Sequence, residues 1–459
     1  MRTSTIITRI AIAALSAIGA LALGATPAMA LGPVTPHCGD TISANITLAR
    51  DLTKCPGDGL VIGADGITVD LHGHTIEGTV TSPDCDRPPV SRAGIRDAGG
   101  FDRITIENGT ISRFDAGVDS GSDTAGMSDS RVHDITFAND HGGVEIGGGA
   151  GAAATARNRI DHNTVTNACS DAIGVHSGQD NRVDSNRLEH VGIGVDICCA
   201  QADVENSARG NTVVDAQQFG IAVFDSAGQM TGNTIDGSGD TGIFIAGASA
   251  HLLVAGNSVT HTQQSGVDIE PCCGETPNHP TDIHLIGNTV TATGDGVVVF
   301  DSNDDEIRGN TVTRSGSFGD PGDFGVGLAV DSGSKEIVAH NMFMNTRGPG
   351  IIVGLPAEFG PSAAPVTDNI IRHNTVIEAG NDGILVSPVA HDTTLDHNVA
   401  DRGAADGIHV LSSATTVAHN TANDNAAFGI EAIAGVTDGG GNRATGNGAA
   451  TQCSGVHCR

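Results

Sequence analysis

The chain has 459 residues, with 64 Gly, 12 Phe, no Trp, no Tyr and a formal net charge of −31 at pH 7. Such acidity argues against nucleic acid or anionic membrane as a partner, because phosphate contacts need clustered Arg and Lys. Scarce aromatics beside abundant Gly, Asn, Thr and Asp argue against an ordinary large globular enzyme, while recurrent Val, Ile and Leu argue against disorder.

The N-terminus carries Arg2 and Arg9, an apolar run over residues 10–23, and Ala28-Met29-Ala30. This pattern predicts a signal peptide over residues 1–30, cleaved after Ala30, and hence a secreted protein. No later segment approaches the ~20 apolar residues of a membrane helix, so no membrane insertion is expected. Beyond residue 30 there remain 21 basic and 54 acidic residues, a net charge of −33. Residues 31–60 read as an N-terminal cap. All ten Cys lie beyond the cleavage site, and an even count in an exported chain favours disulfides. Cys38 with Cys55 and Cys453 with Cys458 are local pairs near the two ends. Cys198-Cys199 and Cys272-Cys273 are vicinal, with bonds open within each pair, between pairs, or to Cys85 and Cys169. Metal ligation by these thiols is the rival reading, but it lacks CxxC spacing.

Residues 61–448 are dominated by a repeat, apolar-x-x-Asn-Thr-Val, as over residues 160–165, 307–312 and 371–376. The Asn recurs at 163, 186, 211, 233, 257, 288, 310, 341, 374, 398, 420 and 442. Seven of the eleven intervals are 22 to 24 residues, so one structural turn takes about that length and longer intervals are loop insertions. A second motif, Gly-[Ile/Val]-x-[Val/Ile], follows each Asn by roughly ten residues, as over residues 192–195, 220–223, 266–269, 296–299 and 383–386. Each unit therefore holds three short segments of period two. Helix is disfavoured by the Gly density and the β-branched residues. A unit of three short strands buries its apolar face only by stacking on the next. The predicted fold is all-β, a single-stranded parallel β-helix of about fifteen coils rising ~4.8 Å each, with residues 449–459 as a C-terminal tail. The repeated Asn sits at a bend, where its amide can bond backbone groups and the Asn one coil away. The residue before it is Gly or a polar residue such as His or Ser, as positive φ requires.

Cys38-Gly39-Asp40-Thr41-Ile42, Asp58-Gly59-Leu60-Val61-Ile62-Gly63 and Ile67-Thr68-Val69-Asp70-Leu71-His72-Gly73-His74-Thr75-Ile76, followed by the Asn-Thr-Val array, carry a family resemblance. Over residues 38–448 the chain resembles secreted right-handed parallel β-helix proteins of the pectin-lyase-like superfamily. The resemblance implies a polysaccharide partner and lyase or glycoside hydrolase activity in a groove along one stacked sheet, although the superfamily also includes surface proteins without catalysis. The chain departs from the family's enzymes in places. It has no Tyr for an epimerase motif, no Arg at an outward groove position from coil 145 to coil 409, and Asp304-Asp305 and His141-Gly142 lack the rest of a polygalacturonase signature.

The Gly-Ile-x-Val strands are the groove candidates. Their Ile and Val point inward, so the intervening residue and the one after Val point out. Asp268 and Glu270 form the sharpest pair, about 7 Å apart between Cα atoms on one strand. Phe244 is expected beside Asp268 one coil earlier and Phe300 beside Glu270 one coil later, with Phe224 further along. An insertion over residues 271–282 follows, with Cys272, Cys273, Glu275 and His279. Two such carboxylates suit acid and base work on a glycosidic bond, with rings that raise one pKa and stack on a sugar. Alternatively the pair binds Ca²⁺, or is merely two solvated acids on a very acidic protein. A second cluster is Glu145, His176 and Asp196 on three consecutive coils. His176 would be a general base between two acids, with Glu145 one pleat step out of line. A third is the column His340, His373, His397 and His419, which suits a transition metal or simply the positive φ of its bend. The leading function is an exported, monomeric β-helix acting on a neutral or cation-bridged polysaccharide, since a free polyanion would be repelled. The alternatives are a non-catalytic envelope solenoid binding glycan or protein, and an exported metal-handling protein.

Overall fold

The computed structural model describes residues 33–80, 92–121, 126–147, 155–200, 204–272, 278–319, 324–355 and 366–459. The expected signal peptide, Cys85, Cys273 and Glu275 lie outside them. Every described element is a strand or an isolated bridge, and all strand pairings are parallel. Successive coils stack in register, making a parallel β-helix of about fifteen turns. The stacking already includes Asp40–Ile42, paired with Leu60–Ile62, and still includes Cys453–Ser454, paired with Ile430 and Glu431. It therefore enters both the segment expected as a cap and the one expected as a tail. Disulfides Cys38–Cys55 and Cys453–Cys458 tie the two ends, and Cys198–Cys199 closes internally. Cys169 and Cys272 are also disulfide-bonded.

Register turns the repeat into columns. Ile160, Val183, Ala208, Met230, Val254, Leu285 and Ile307 stack one above another. All are sealed from solvent. The Val of Asn-Thr-Val makes a second column, and it explains the Gly of Gly-Ile-x-Val. A Cβ on Gly266 would meet Val290 Cγ1 at 2.2 Å and the Gly296 carbonyl at 2.8 Å; one on Gly350 would meet Val376 Cγ1 at 2.2 Å. These glycines let one wall approach another, as close packing requires.

The bend carries the Asn ladder. The Asn257 backbone N–H and Nδ2 both donate to Asn288 Oδ1, each at 2.9 Å, and Nδ2 also donates to the Met230 carbonyl at 2.8 Å. Its own Oδ1 accepts the same pair of bonds from Asn233, at 2.9 Å each. All twelve ladder residues are at most 2% exposed. The residues before them have positive φ, from 54° at His373 to 76° at Gly441.

A second inner ladder was not evident in the repeat. Ile104 N–H donates to Ser130 Oγ, Ser130 N–H to Asn158 Oδ1, Asn158 N–H to Asn181 Oδ1 and Asn181 N–H to Asn206 Oδ1. The same pattern reappears further on with acids. Ile283 N–H donates to Asp305 Oδ1, Asp305 N–H to Glu336 Oε2 and Glu336 N–H to Asn369 Oδ1. A carboxylate lacks the donor an amide would offer, so the pair needs a proton. Burial, then the neighbouring Asp305 charge, pushes Glu336 up to about 10, and burial pushes Asp305 up to about 7.

Two stability predictions follow from the ladders. Asn257→Ala orphans the Asn233 donors and the Met230 carbonyl, and at about 1–3 kcal/mol per orphaned group the loss is about 3 kcal/mol or more, read by denaturant unfolding. Glu336 binds its proton more tightly in the folded chain. Its contribution is therefore complete below the ordinary value of 4.5 and is lost as pH rises toward about 10. Glu336→Gln should raise the thermal midpoint at pH 8 and change it little at pH 4.

Candidate functional site

The Gly-Ile-x-Val strands form one continuous sheet, and its outward column reads Arg96, Asp119, Glu145, Gly174, Asp196, Ala222, Phe244, Asp268 and Val298 in register. Four of its first five members, Arg96, Asp119, Glu145 and Asp196, are charged. There the surface sinks into a depression of about 330 Å³, walled by Arg92, Asp115, Asp119, His141, Glu145 and Asp171, with His176 beside them.

His176 Nε2 lies 3.0 Å from Glu145 Oε2 and 3.6 Å from Asp171 Oδ2. The expected misalignment falls differently. Glu145 and Asp196 share a column through Gly174, whereas His176 stands two residues along, in line with Gly147 and Cys198. The cause is a two-residue slip in the motif as read. Gly194, not Gly192, occupies the glycine column, and a Cβ there would meet the Gly220 carbonyl at 2.3 Å and Val213 at 2.7 Å. Val195 and Ile197 are therefore the inward residues of the strand Ile193–Cys198. The long imidazole arm reaches back across the pleat to Glu145.

Electrostatics alter the role expected for His176. Burial would lower the imidazole, but the hydrogen bond and charge of Glu145, with the charges of Asp196 and Asp171, outweigh it and raise it to about 9. At neutral pH it is an imidazolium and a proton donor, not the general base expected. Asp171 is the residue the outward-pair reading missed, because it sits at the corner before the strand's glycine position. Other corner acids spend an oxygen on a backbone N–H of the adjoining coil: Asp58 on Ala93 at 2.8 Å, Asp295 on Val326 at 2.9 Å. Among the described residues no backbone N–H donates to the Asp171 carboxyl. Burial first, then the charges of Glu145 and Asp196, push it up to about 8 against the pull of His176. Asp196 lies behind the depression, 8% exposed and with Oδ1 lacking a hydrogen-bond partner. Burial raises it to about 6, opposed by His176. The cluster thus holds a protonated carboxyl, an imidazolium and carboxylates in one concave site, an arrangement fitted to proton transfer. Glu145, Asp171 and His176 also converge closely enough to ligate a metal.

The arginines on the wall are compensated. Arg92 pairs with Asp115 at 3.0 Å, and Arg96 with Asp58 at 2.9 Å and Asp119 at 2.6 Å.

Asp268 and Glu270 do face outward from one strand, and Phe244 does adjoin Asp268. Burial first, then Glu270, Asp240 and Asp295, holds Asp268 well above the carboxylate range, and burial with Asp240 raises Glu270. Phe244 is only 7% exposed, since Phe219 stacks on it at 4.6 Å between ring centroids and Phe224 meets its edge at 5.5 Å. Its face is therefore occupied by protein rather than open to a sugar. Phe224 and Phe300 remain partly exposed. The predicted histidine column is a stack, with ring centroids 4.9, 5.0 and 4.5 Å apart from His340 to His419. All four rings stand at φ between 54° and 57°, and His397 and His419 share Asp396 Oδ1 at 2.9 and 3.0 Å.

Solved structures with this architecture include a mannuronan C-5 epimerase A-module from Azotobacter vinelandii (13% identity, 79% of this chain and 86% of that chain covered, TM-score 0.37). Others are a PL6 alginate lyase in complex with a trisaccharide (13%, 79% and 80%, TM-score 0.45) and the catalytic unit of a GH87 α-1,3-glucanase from Streptomyces thermodiastaticus (15%, 88% and 62%, TM-score 0.39). At such identities the likeness concerns the fold alone. No curated protein sequence matches the chain. The family described as right handed beta helix region matches residues 58–231, 220–354 and 281–449, so the chain belongs to the right-handed β-helix family.

Proposed function

We propose that the chain is an exported enzyme that cleaves a neutral polysaccharide by acid–base hydrolysis, with the glycan lying along the Gly-Ile-x-Val sheet. One observation carries this reading: the depression beside His176 brings a carboxyl raised to about 8 into the same site as an acceptor carboxylate held by an imidazolium. In the proposed reaction the Asp171 proton goes to the glycosidic oxygen as its bond to carbon breaks. Glu145, oriented by His176 and within 4.8 Å of Asp171, bonds to the anomeric carbon as that bond breaks, and a water that gives its proton to Asp171 then displaces Glu145. Protonated donor and ionised acceptor in one site are what glycosidic hydrolysis requires. His176 and Asp196 position this pair through their charges. Arg92 on the wall and Arg96 beside it are paired with carboxylates, so among the described residues neither Arg stands free for a uronate carboxylate, which favours a neutral glycan over pectate or alginate. Phe224 supplies the exposed ring surface two coils along from His176.

Purified protein is to be incubated with neutral and uronate-containing polysaccharides, with and without Ca²⁺. The expected products are new reducing ends from a neutral glycan, independent of Ca²⁺. Asp171→Asn should lower kcat by about 10²–10⁴-fold with little change in KM. The pH profile should fall as pH rises through about 8, where Asp171 loses its proton. Full activity in both Asp171→Asn and Glu145→Gln would remove the assignment, and binding of glycan without turnover would favour the non-catalytic solenoid.

A further inference from the structure

Toward the C-terminal end of the same outward column, Leu385, His409 and Glu431 stand in register. Nine steps of ~4.8 Å separate His409 from Gly174, about 43 Å along the axis. Two corner acids flank His409. Asp382 Oδ1 accepts the Asp406 N–H at 2.9 Å, and Asp406 Oδ1 accepts the Phe428 N–H at 2.7 Å. Each bond fixes its carboxylate with Oδ2 toward the imidazole. Asp382 Oδ2 is 3.3 Å and Asp406 Oδ2 3.7 Å from His409 Nδ1.

The two acids are 7% and 5% exposed, and Asp406 Oδ2 receives no hydrogen bond. Glu431 Oε2 approaches the other ring nitrogen at 3.9 Å. Among the described residues no Arg or Lys pairs with any of these three carboxylates. One imidazole thus faces three acids, and Asp382, Asp406 and His409 bring their ligating atoms within 4.8 Å of one another. Donors bound at 2.0–2.2 Å to a tetrahedral ion lie roughly 3.3–3.6 Å apart, close to the two separations observed. An imidazole donor favours a zinc-class ion over Ca²⁺ or Mg²⁺, which prefer all-oxygen sets. The outward apolar cluster Val326, Ala329, Ile352 and Leu385, with Leu411 packed against it, adjoins the cluster and limits water access.

We propose that Asp382, Asp406 and His409 form a binding site for a divalent transition metal of the zinc class, separate from the depression at His176. The test is isothermal calorimetry of Zn²⁺ into the full chain after EDTA treatment and dialysis. His409→Ala and Asp406→Asn should each lose one equivalent of Zn²⁺. Asp406→Asn retains the acceptor for the Phe428 N–H, so the coil stays folded and its thermal midpoint in EDTA should match the parent chain. His397→Asn combined with His419→Asn, which removes the exposed histidine pair, should leave that equivalent in place. Unchanged stoichiometry in Asp406→Asn, or absence of Zn²⁺ binding to the parent chain, would overturn the proposal.

Discussion

Identical placement of one coil on the next is the constraint on which everything else rests, and the buried Asn ladder enforces it. Each rung satisfies a backbone N–H, a side-chain donor and a carbonyl of neighbouring coils, in a place where water cannot substitute. A one-residue slip would turn every inward Val outward and break the ladder together with the apolar columns. Apolar burial drives compaction, but the amides select the register.

Register converts sequence distance into spatial neighbourhood. Glu145 and His176, thirty-one positions apart, touch because their coils are adjacent. The corners add a second device. Acids before the glycine column tie coil to coil through backbone N–H groups, as Asp295 and Asp382 do. At Asp171 burial and the charges of Glu145 and Asp196 leave a carboxyl that holds its proton.

The fold was legible because the Asn interval, the period-two segments and the glycines each report one column, and all agree. The outward charged residues were legible too, since alternation alone decides the face. What escaped was finer. The slip at Gly192 to Gly194 hid that Asp196 aligns with Glu145, because both glycines fit the motif and only packing against Val213 distinguishes them. Asp171 escaped because a corner acid looks the same in sequence whether or not a backbone N–H meets it. The burial of Phe244 depended on Phe219, which lies outside the motif. The protonation of His176 depended on the sum of three acids on two other coils and its own.

Histidine titration followed by NMR reads the central claim without any substrate. Stacking predicts that the His176 midpoint lies near 9 and moves down by a unit or more in Glu145→Gln, where the imidazolium loses its charged acceptor. A midpoint at the ordinary 6.5, unmoved by that substitution, would mean that the two side chains do not meet across adjacent coils.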